Sequence, residues 1–333
     1  MGYFYYSYHH ENLWDETTDL NYRWFADSYQ RIFLAAFAFD CLTFLALITF
    51  LVWACTIRPS NQPLKGVIAA LVMWICFELL SLIYEILELA AAEVKQYYVI
   101  IFMLVELFFV LFSCVLFLVF YQTIHMLLDR LTDSGKPYAP LRIIHWTILG
   151  LVSVLSLAEF AVNVALYYKD VEQTLTYIFI ENKRKLYSAL CIIYFIMAFE
   201  ILVWTIFVTV KAGTHRFASR MPLFSLIAAS VCWFGYTLMW GIVAIRYYLA
   251  ITVVTNTADY LAIVESVFGF VFVVGIFTGL LLCLMNWFKL GGDHDKAPNS
   301  VQHPYDSNQV FQTWQPYQQQ QQPPQPQLVQ HHR

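Results

Sequence analysis

The sequence predicts an all-α protein, a bundle of seven transmembrane helices with its N-terminus outside and its C-terminus in the cytoplasm. The composition is 60% hydrophobic and only 13% charged, whereas a soluble domain carries about a quarter charged residues. Seven apolar runs are each long enough to cross the roughly 30 Å hydrocarbon layer of a bilayer. Lys and Arg are more frequent in the connectors after the odd-numbered runs and in the tail, which favours a cytoplasmic location for those segments.

The seven runs follow one another with short polar connectors between most of them. Pro and Gly in the connectors 58–65 and 132–142 are typical helix-ending residues. The runs are too long and too uniformly apolar for the strands of a membrane barrel, which have about ten residues in strict alternation. We therefore expect transmembrane helices at about 32–57, 66–92, 99–124, 143–168, 186–211, 223–249 and 261–288.

Two segments flank the membrane domain of residues 32–290. Residues 1–31 are aromatic and acidic, and they lack the basic start and apolar core of a secretory signal. We expect this segment to be extracellular. Gln and Pro dominate residues 291–333, a composition that buries too little apolar surface to fold alone. We expect a disordered cytoplasmic tail.

The orientation rests on the distribution of basic residues. Three of the eight on the side predicted to be extracellular form one cluster, Lys183, Arg184 and Lys185. We expect this multi-pass protein in the plasma membrane rather than in an endomembrane. The small net charge of −4, without a large basic patch, argues against nucleic acid as a partner. Eleven of the 19 Lys and Arg residues lie on the predicted cytoplasmic side: Arg58, Lys65, Arg130, Lys136, Arg142, Lys211, Arg216, Arg220, Lys289, Lys296 and Arg333.

The second apolar run carries a polar stripe of Glu78, Ser81, Glu85 and Glu88. At 100° per residue these four side chains lie within about 80° of one another around a helix. A charged side chain facing lipid near the midplane costs at least about 2.5–3.5 kcal/mol. The stripe is therefore predicted to face the interior of the bundle.

Acidic residues recur in five of the other runs, and with the N-terminus outside most of them fall in the outer half of the bilayer. Ser156, Glu159 and Asn163 share one helical face in the fourth run. In low dielectric such groups must be protonated, bind a cation or line a wet cavity. Alternatively, protonated Glu side chains can simply hydrogen-bond between helices and stabilise the bundle. The candidates for a ligand or ion pocket are Asp40, Glu78, Glu85, Glu106, Glu159, Asn163, Glu200, Glu265 and Arg246, a basic residue near the outer end of the sixth run.

Two fragments resemble motifs of the G-protein-coupled receptors, whose seven-span layout and outside N-terminus the chain shares. The segment 128–131 (LDRL) resembles their acidic-Arg-aromatic element but ends in Leu131. The segment 232–235 (CWFG) resembles their Cys-Trp-x-Pro element but has Gly235 in place of proline. We keep the topology but not the family, because the seventh run lacks the receptors' Asn-Pro-x-x-Tyr signature. The candidates for cytoplasmic partner contacts, Arg130, Arg216 and Arg220, are chosen because they lie on the predicted inner face.

In overall layout the chain is similar to uncharacterised seven-span integral membrane proteins of filamentous fungi. The segment 82–88 (LIYEILE) resembles an Ile-Tyr-Arg-x-x-Glu element of the fungal lipid-translocating exporter-like group, with Glu85 in place of its arginine. No function is transferred from this short match.

The sequence contains no motif for catalysis, metal binding or a cofactor. His125 and His145 are the only histidines near a span, and neither an HExxH nor a GxSxG motif is present. We therefore expect a protein that is not an enzyme and has no cofactor.

Three functions stay open. The first is a receptor-like sensor whose acidic outer-half pocket binds a small cationic or polar ligand and whose loops and tail contact a cytoplasmic signalling partner. The second is a proton- or cation-coupled transporter that uses the intramembrane glutamates. The third is a structural or adaptor membrane protein. In every case the lipid bilayer is a partner.

Overall fold

The structure is a computed structural model, and seven long helices make up most of it. It describes residues 14, 17–19, 27–57, 62–90, 93–130, 138–171, 177–213, 220–249 and 261–286. All seven are long and apolar enough to span a membrane. The prediction of an all-α bundle of seven transmembrane helices is confirmed, whereas the orientation of the termini stays a prediction. The helices are α1 (Asp27–Thr56), α2 (Gln62–Leu89), α3 (Val99–Arg130), α4 (Ala139–Val171), α5 (Tyr177–Gly213), α6 (Met221–Val243) and α7 (Leu261–Met285).

Several helices extend beyond the apolar runs that predict them. Helix α5 begins at Tyr177 rather than near 186, and α3 ends at Arg130 rather than near 124. Hydropathy detects the hydrocarbon layer, but helical hydrogen bonding continues through polar residues at the interface. Helix α6 ends at Val243 and continues as a short π-helix, Ala244–Leu249. The predicted tail of residues 291–333 and most of residues 1–31 lie outside the described residues.

Consecutive helices pack side by side, and α7 packs against α1, so the bundle forms a closed ring. Neighbours in the chain run antiparallel: Phe77 of α2 meets Phe109 of α3, and Tyr84 of α2 meets Phe102 of α3. We call the end at which α1, α3, α5 and α7 begin the upper end, and the opposite end the lower end. The sequence predicts that the upper end is extracellular.

The middle of the bundle is filled by large aromatic side chains. Trp74 stacks on Phe112 with ring centroids 4.2 Å apart and meets the edge of Phe277 at 5.6 Å. Trp233 stacks on Tyr236 at 5.6 Å. These side chains come from α2, α3, α6 and α7, and they join the four helices at mid-height. We call the buried group of Trp74, Phe112, Phe117, Trp233, Tyr236 and Phe277 the aromatic layer.

A short β ladder lies at the upper end. Strand β1 (Thr17–Asp19) pairs antiparallel with β2 (Glu93–Lys95) in the connector between α2 and α3. Trp14 contacts Tyr97 and Tyr168, with ring centroids 5.9 and 6.0 Å apart. Part of the N-terminal segment is thereby attached to the upper end near α3 and α4.

Candidate functional site: an acidic cavity in the upper half

A cavity with a volume of about 160 Å³ lies between α1, α2, α6 and α7. Helix α2 presents Glu78, Ser81 and Glu85 to it, because spacings of three, four and seven residues keep these side chains on one helical face. At 1.5 Å per residue, Glu78 lies about 16 Å below the upper end of α2, and Glu85 about 6 Å below it. The carboxyl groups that line the cavity are those of Asp40, Glu78, Glu85 and Glu265.

Hydrogen bonds fix two of these carboxyl groups. The indole Nε1 of Trp74 donates to Oε1 of Glu78 at 3.1 Å, and the hydroxyl of Ser266 donates to Oδ2 of Asp40 at 3.0 Å. Glu78 is only 8% exposed, so this indole bond partly compensates for its burial. Both bonds leave carboxyl oxygens that can face the cavity.

Asp40 and Glu85 lie within hydrogen-bonding contact of each other. Two carboxyl groups in contact repel each other unless a proton or a cation lies between them. The Oε2 atom of Glu85 is buried and receives no hydrogen bond from a donor among the described residues. The indole of Trp240, which also lines the cavity, lies beside the Tyr236 hydroxyl. The cavity thus offers one carboxyl oxygen that a ligand's N–H or positive charge can pair with.

No Lys, Arg or His is among the cavity-lining residues that the structure describes. Arg246, the one basic candidate from the sequence, lies on the π-helix that follows α6, where its side chain is exposed, and it does not line the cavity. The electrostatic potential of the cavity is therefore governed by carboxyl groups, which attract cations.

The aromatic layer closes the cavity from below. Trp74 and Tyr236 belong to both the cavity wall and the layer, and their rings lie 5.7 Å apart. Beneath them Phe117 and Trp233 make an edge contact at 5.2 Å and are at most 1% exposed. The lower half of the bundle is separated from the cavity by this apolar packing.

A second polar group lies between α3, α4 and α5. The amide Nδ2 of Asn163 donates to Oε1 of Glu159 at 2.5 Å, and both side chains are buried. Glu106 lies near Glu159, and Lys183 is close enough to act electrostatically on both carboxyl groups. The structure places Glu106, Glu159 and Asn163 here and not at the cavity.

Glu200 belongs to a third group in the lower half. Its Oε1 lies 3.1 Å from Nε2 of His145, and its Oε2 accepts a hydrogen bond from the Tyr121 hydroxyl at 3.0 Å. The nine candidates therefore separate into the cavity (Asp40, Glu78, Glu85 and Glu265), the α3–α4–α5 group (Glu106, Glu159 and Asn163), the lower site of Glu200 and the exposed Arg246.

The three basic candidates for cytoplasmic contacts lie at the lower end or outside the described residues. Arg220 directly precedes α6 and is exposed, and its carbonyl oxygen accepts the backbone N–H of Leu223. Arg130 is the last residue of α3, and its side chain lies outside the described part of the structure. Arg216 lies outside the described residues altogether.

Sequence reasoning missed several cavity residues. Trp74 and Ser266 bond to the cavity carboxyl groups, and Trp240 adds an indole beside the Tyr236 hydroxyl. Trp74 precedes Glu78 by four residues, a spacing that places the two on one helical face and could have indicated the contact. No comparable signal in the sequence pairs Ser266 with Asp40, because α1 and α7 are neighbours only in the folded ring.

The fold and the outward-facing apolar side chains define an integral multi-pass membrane protein with seven spans. Large apolar residues such as Leu45, Val52, Ile143 and Val210 are exposed on the outside of the bundle, where a bilayer would cover them. Comparison of the chain with known protein families, curated proteins and solved structures gives no match.

Proposed function

We propose that the protein is a receptor-like sensor whose acidic cavity binds a small organic cation at the upper, extracellular end. The observation that supports this most is the cavity itself, with four carboxyl groups, no basic side chain among its described lining residues and a closed aromatic floor. A cavity that is closed from below can bind a ligand that enters and leaves at the upper end. It offers no continuous path through the bundle, which an ion that crosses the membrane needs.

The size and the walls of the cavity favour an organic cation over a metal ion. The cavity volume of about 160 Å³ is far larger than the roughly 10–15 Å³ that a single water needs on the same measure. Aromatic side chains stand beside the carboxyl groups, and aromatic rings attract organic ammonium groups through cation–π interactions. The aromatic side chains at the cavity are Trp74, Phe77, Tyr236, Trp240 and Phe270. Within the described residues, no three or more His, Cys, Asp or Glu side chains are arranged to hold a metal ion.

The test is ligand binding to the purified full-length protein in lipid nanodiscs. Tetramethylammonium, choline and a small aromatic amine would each be titrated while the melting temperature is recorded. We expect at least one of these cations to raise the melting temperature, because a ligand that binds only the folded state stabilises it. Glu85→Gln should abolish the shift, since it removes the carboxyl group whose Oε2 atom accepts no hydrogen bond and which lies against Asp40.

Glu106→Gln is the matched control. It removes a half-buried carboxyl group from the α3–α4–α5 group and should leave the ligand-induced shift intact. A shift that is the same in wild type and Glu85→Gln would contradict a cavity site. If none of the three cations shifts the wild-type melting temperature, the proposal that the cavity binds a small organic cation is contradicted.

The two other functions differ from sensing in their outcome for Glu85→Gln. A transporter would lose flux, and a structural protein would change only in stability. The carboxyl groups on several helices are the specific feature that favours transport, but the aromatic layer separates the cavity from Glu200. For this reason sensing is our first proposal.

A further inference from the structure

We propose that the lower half of the bundle contains a buried site for a single proton, formed by His125 of α3, His145 of α4 and Glu200 of α5. The site is separate from the acidic cavity, and the proposal does not depend on which ligand the cavity binds. It takes a proton from the aqueous phase at the lower end and responds to the pH on that side.

The three side chains form a continuous chain of short contacts. The Nε2 atom of His125 lies 3.0 Å from Nδ1 of His145, and Nε2 of His145 lies 3.1 Å from Oε1 of Glu200. The Tyr121 hydroxyl donates to the other oxygen of Glu200 at 3.0 Å. His125 and His145 are 5% and 1% exposed, so no bulk water competes for these contacts.

Counting donors shows that the histidine pair takes up one proton and no more. In the neutral pair, one N–H must lie between the two rings, because each contact between ring nitrogens needs a donor and an acceptor. With one added proton, His145 carries an N–H on both nitrogens and donates from Nδ1 to Nε2 of His125, whose own N–H is then on Nδ1. A second added proton would place two N–H groups face to face and break the contact.

The geometry at Glu200 favours the protonated state. The Nε2 atom of His145 is within ion-pair distance of Glu200 but makes no aligned hydrogen bond there. A misaligned N–H gives a neutral imidazole little stabilisation, because hydrogen bonds weaken steeply with angle. An imidazolium still gains from the carboxylate, since charge attraction depends mainly on distance.

Two aromatic rings further support a cationic His145. The ring of Tyr121 stacks on His145 with centroids 4.4 Å apart, and Trp204 presents its ring at 5.8 Å and 77°. Aromatic rings stabilise a nearby cation more strongly when water is excluded. Glu200 supplies the counter-charge from α5.

Other charged groups define the route to the lower end. Asp129 of α3 and Arg142 of α4 form an ion pair at 2.7 Å, and their side chains are 43% and 40% exposed. Both act electrostatically on His125, in opposite senses. Asp129 follows His125 by about one helical turn, or roughly 6 Å along α3. The ion pair of Asp129 and Arg142 therefore lies between His125 and the lower end, where a proton would enter.

Proton binding would tighten the contact between α3, α4 and α5 at the lower end. The three acid–base side chains lie on three different helices, and the added charge pairs with Glu200 across the α4–α5 contact. Loss of the proton leaves that contact without its charge attraction. The lower-end pH thereby biases how firmly these helices are held together.

Trp204 provides the readout, because an imidazolium quenches the fluorescence of an adjacent indole more strongly than a neutral imidazole does. The full-length protein in nanodiscs would be titrated from high to low pH, and the Trp204→Phe spectrum subtracted from the wild-type spectrum. We expect the difference signal to fall in one single-proton step. His145→Gln should abolish the step, and Glu200→Gln should move it by about 1 pH unit or more towards acid, because it removes the opposite charge.

Glu159→Gln, which removes a buried carboxyl group from α4 outside this site, is the control and should leave the step in place. A wild-type difference signal that does not change with pH would overturn the proposal. So would a step that persists in His145→Gln or that Glu200→Gln leaves at the same pH. If His145→Gln does not fold, the wild-type and Glu200→Gln titrations decide the question.

Discussion

At the scale of single residues, the hydrogen bond between Trp74 and Glu78 joins the aromatic layer to the deepest carboxyl group of the cavity. Trp74→Phe keeps an aromatic ring in the layer but removes the indole donor. A buried acceptor that loses its partner costs about 1–3 kcal/mol. We expect the free energy of unfolding in mixed micelles to fall by about this amount, with the fold retained.

The same bond can be isolated with a double-mutant cycle. Glu78→Met replaces the carboxyl group by an apolar side chain of similar volume, so no acceptor is left unsatisfied. In this background Trp74→Phe should cost clearly less than in the wild type, because only ring packing is then lost. Equal costs in the two backgrounds would mean that the bond makes no net contribution.

At the scale of helices, the contact between α6 and α7 depends on Gly279. A Cβ atom at this position would lie 2.6 Å from the backbone oxygen of Ser225 and 2.8 Å from the backbone nitrogen of Ala229. Backbone atoms cannot rotate away as a side chain can, so Gly279→Ala must push the helices apart. We expect a loss of about 1–3 kcal/mol in unfolding free energy, the range typical of overpacking.

Gly150 of α4 is the matched control for this substitution. It is exposed on the outside of the bundle, and a Cβ atom there would meet nothing within 4 Å. Gly150→Ala should leave stability unchanged or raise it by up to about 1 kcal/mol through helix propensity. If both substitutions had the same effect, close packing at Gly279 would not explain the loss.

The number of helices can be predicted from the sequence, but which helices lie next to each other cannot. Long apolar runs predict the seven spans because the hydrocarbon layer demands about 20 apolar residues whatever the tertiary contacts. The same uniform apolarity hides which faces of α1 or α7 meet another helix. Two helices show an inward face in the sequence: α2, with the stripe of Glu78, Ser81 and Glu85, and α4, with the buried face of Ser156, Glu159 and Asn163. The sequence therefore groups Glu106, Glu159 and Glu200 with the cavity residues, although they lie beside other helices.

At the scale of the whole molecule, the basic residues predict which end faces the cytoplasm. We expect an epitope tag at the N-terminus to be accessible on intact cells and a tag at the C-terminus to be accessible only after permeabilisation. The reason is that Lys and Arg near the membrane are retained on the cytoplasmic side during insertion. The opposite pattern of labelling would place the acidic cavity at the cytoplasmic end and remove the extracellular ligand from the proposal.

The aromatic layer predicts that no ion crosses the bundle by way of the acidic cavity. Trp74, Phe112, Trp233 and Phe277 are each at most 1% exposed, and they separate the acidic cavity from the network at Glu200. A proton or metal cation that crosses this layer would lose its hydration without gaining polar partners. In liposomes that contain the purified protein, proton and cation flux should therefore equal that of empty liposomes. Flux above this level that disappears in Glu85→Gln would instead make the cavity the entrance of a transport path, in which the aromatic rings must move apart.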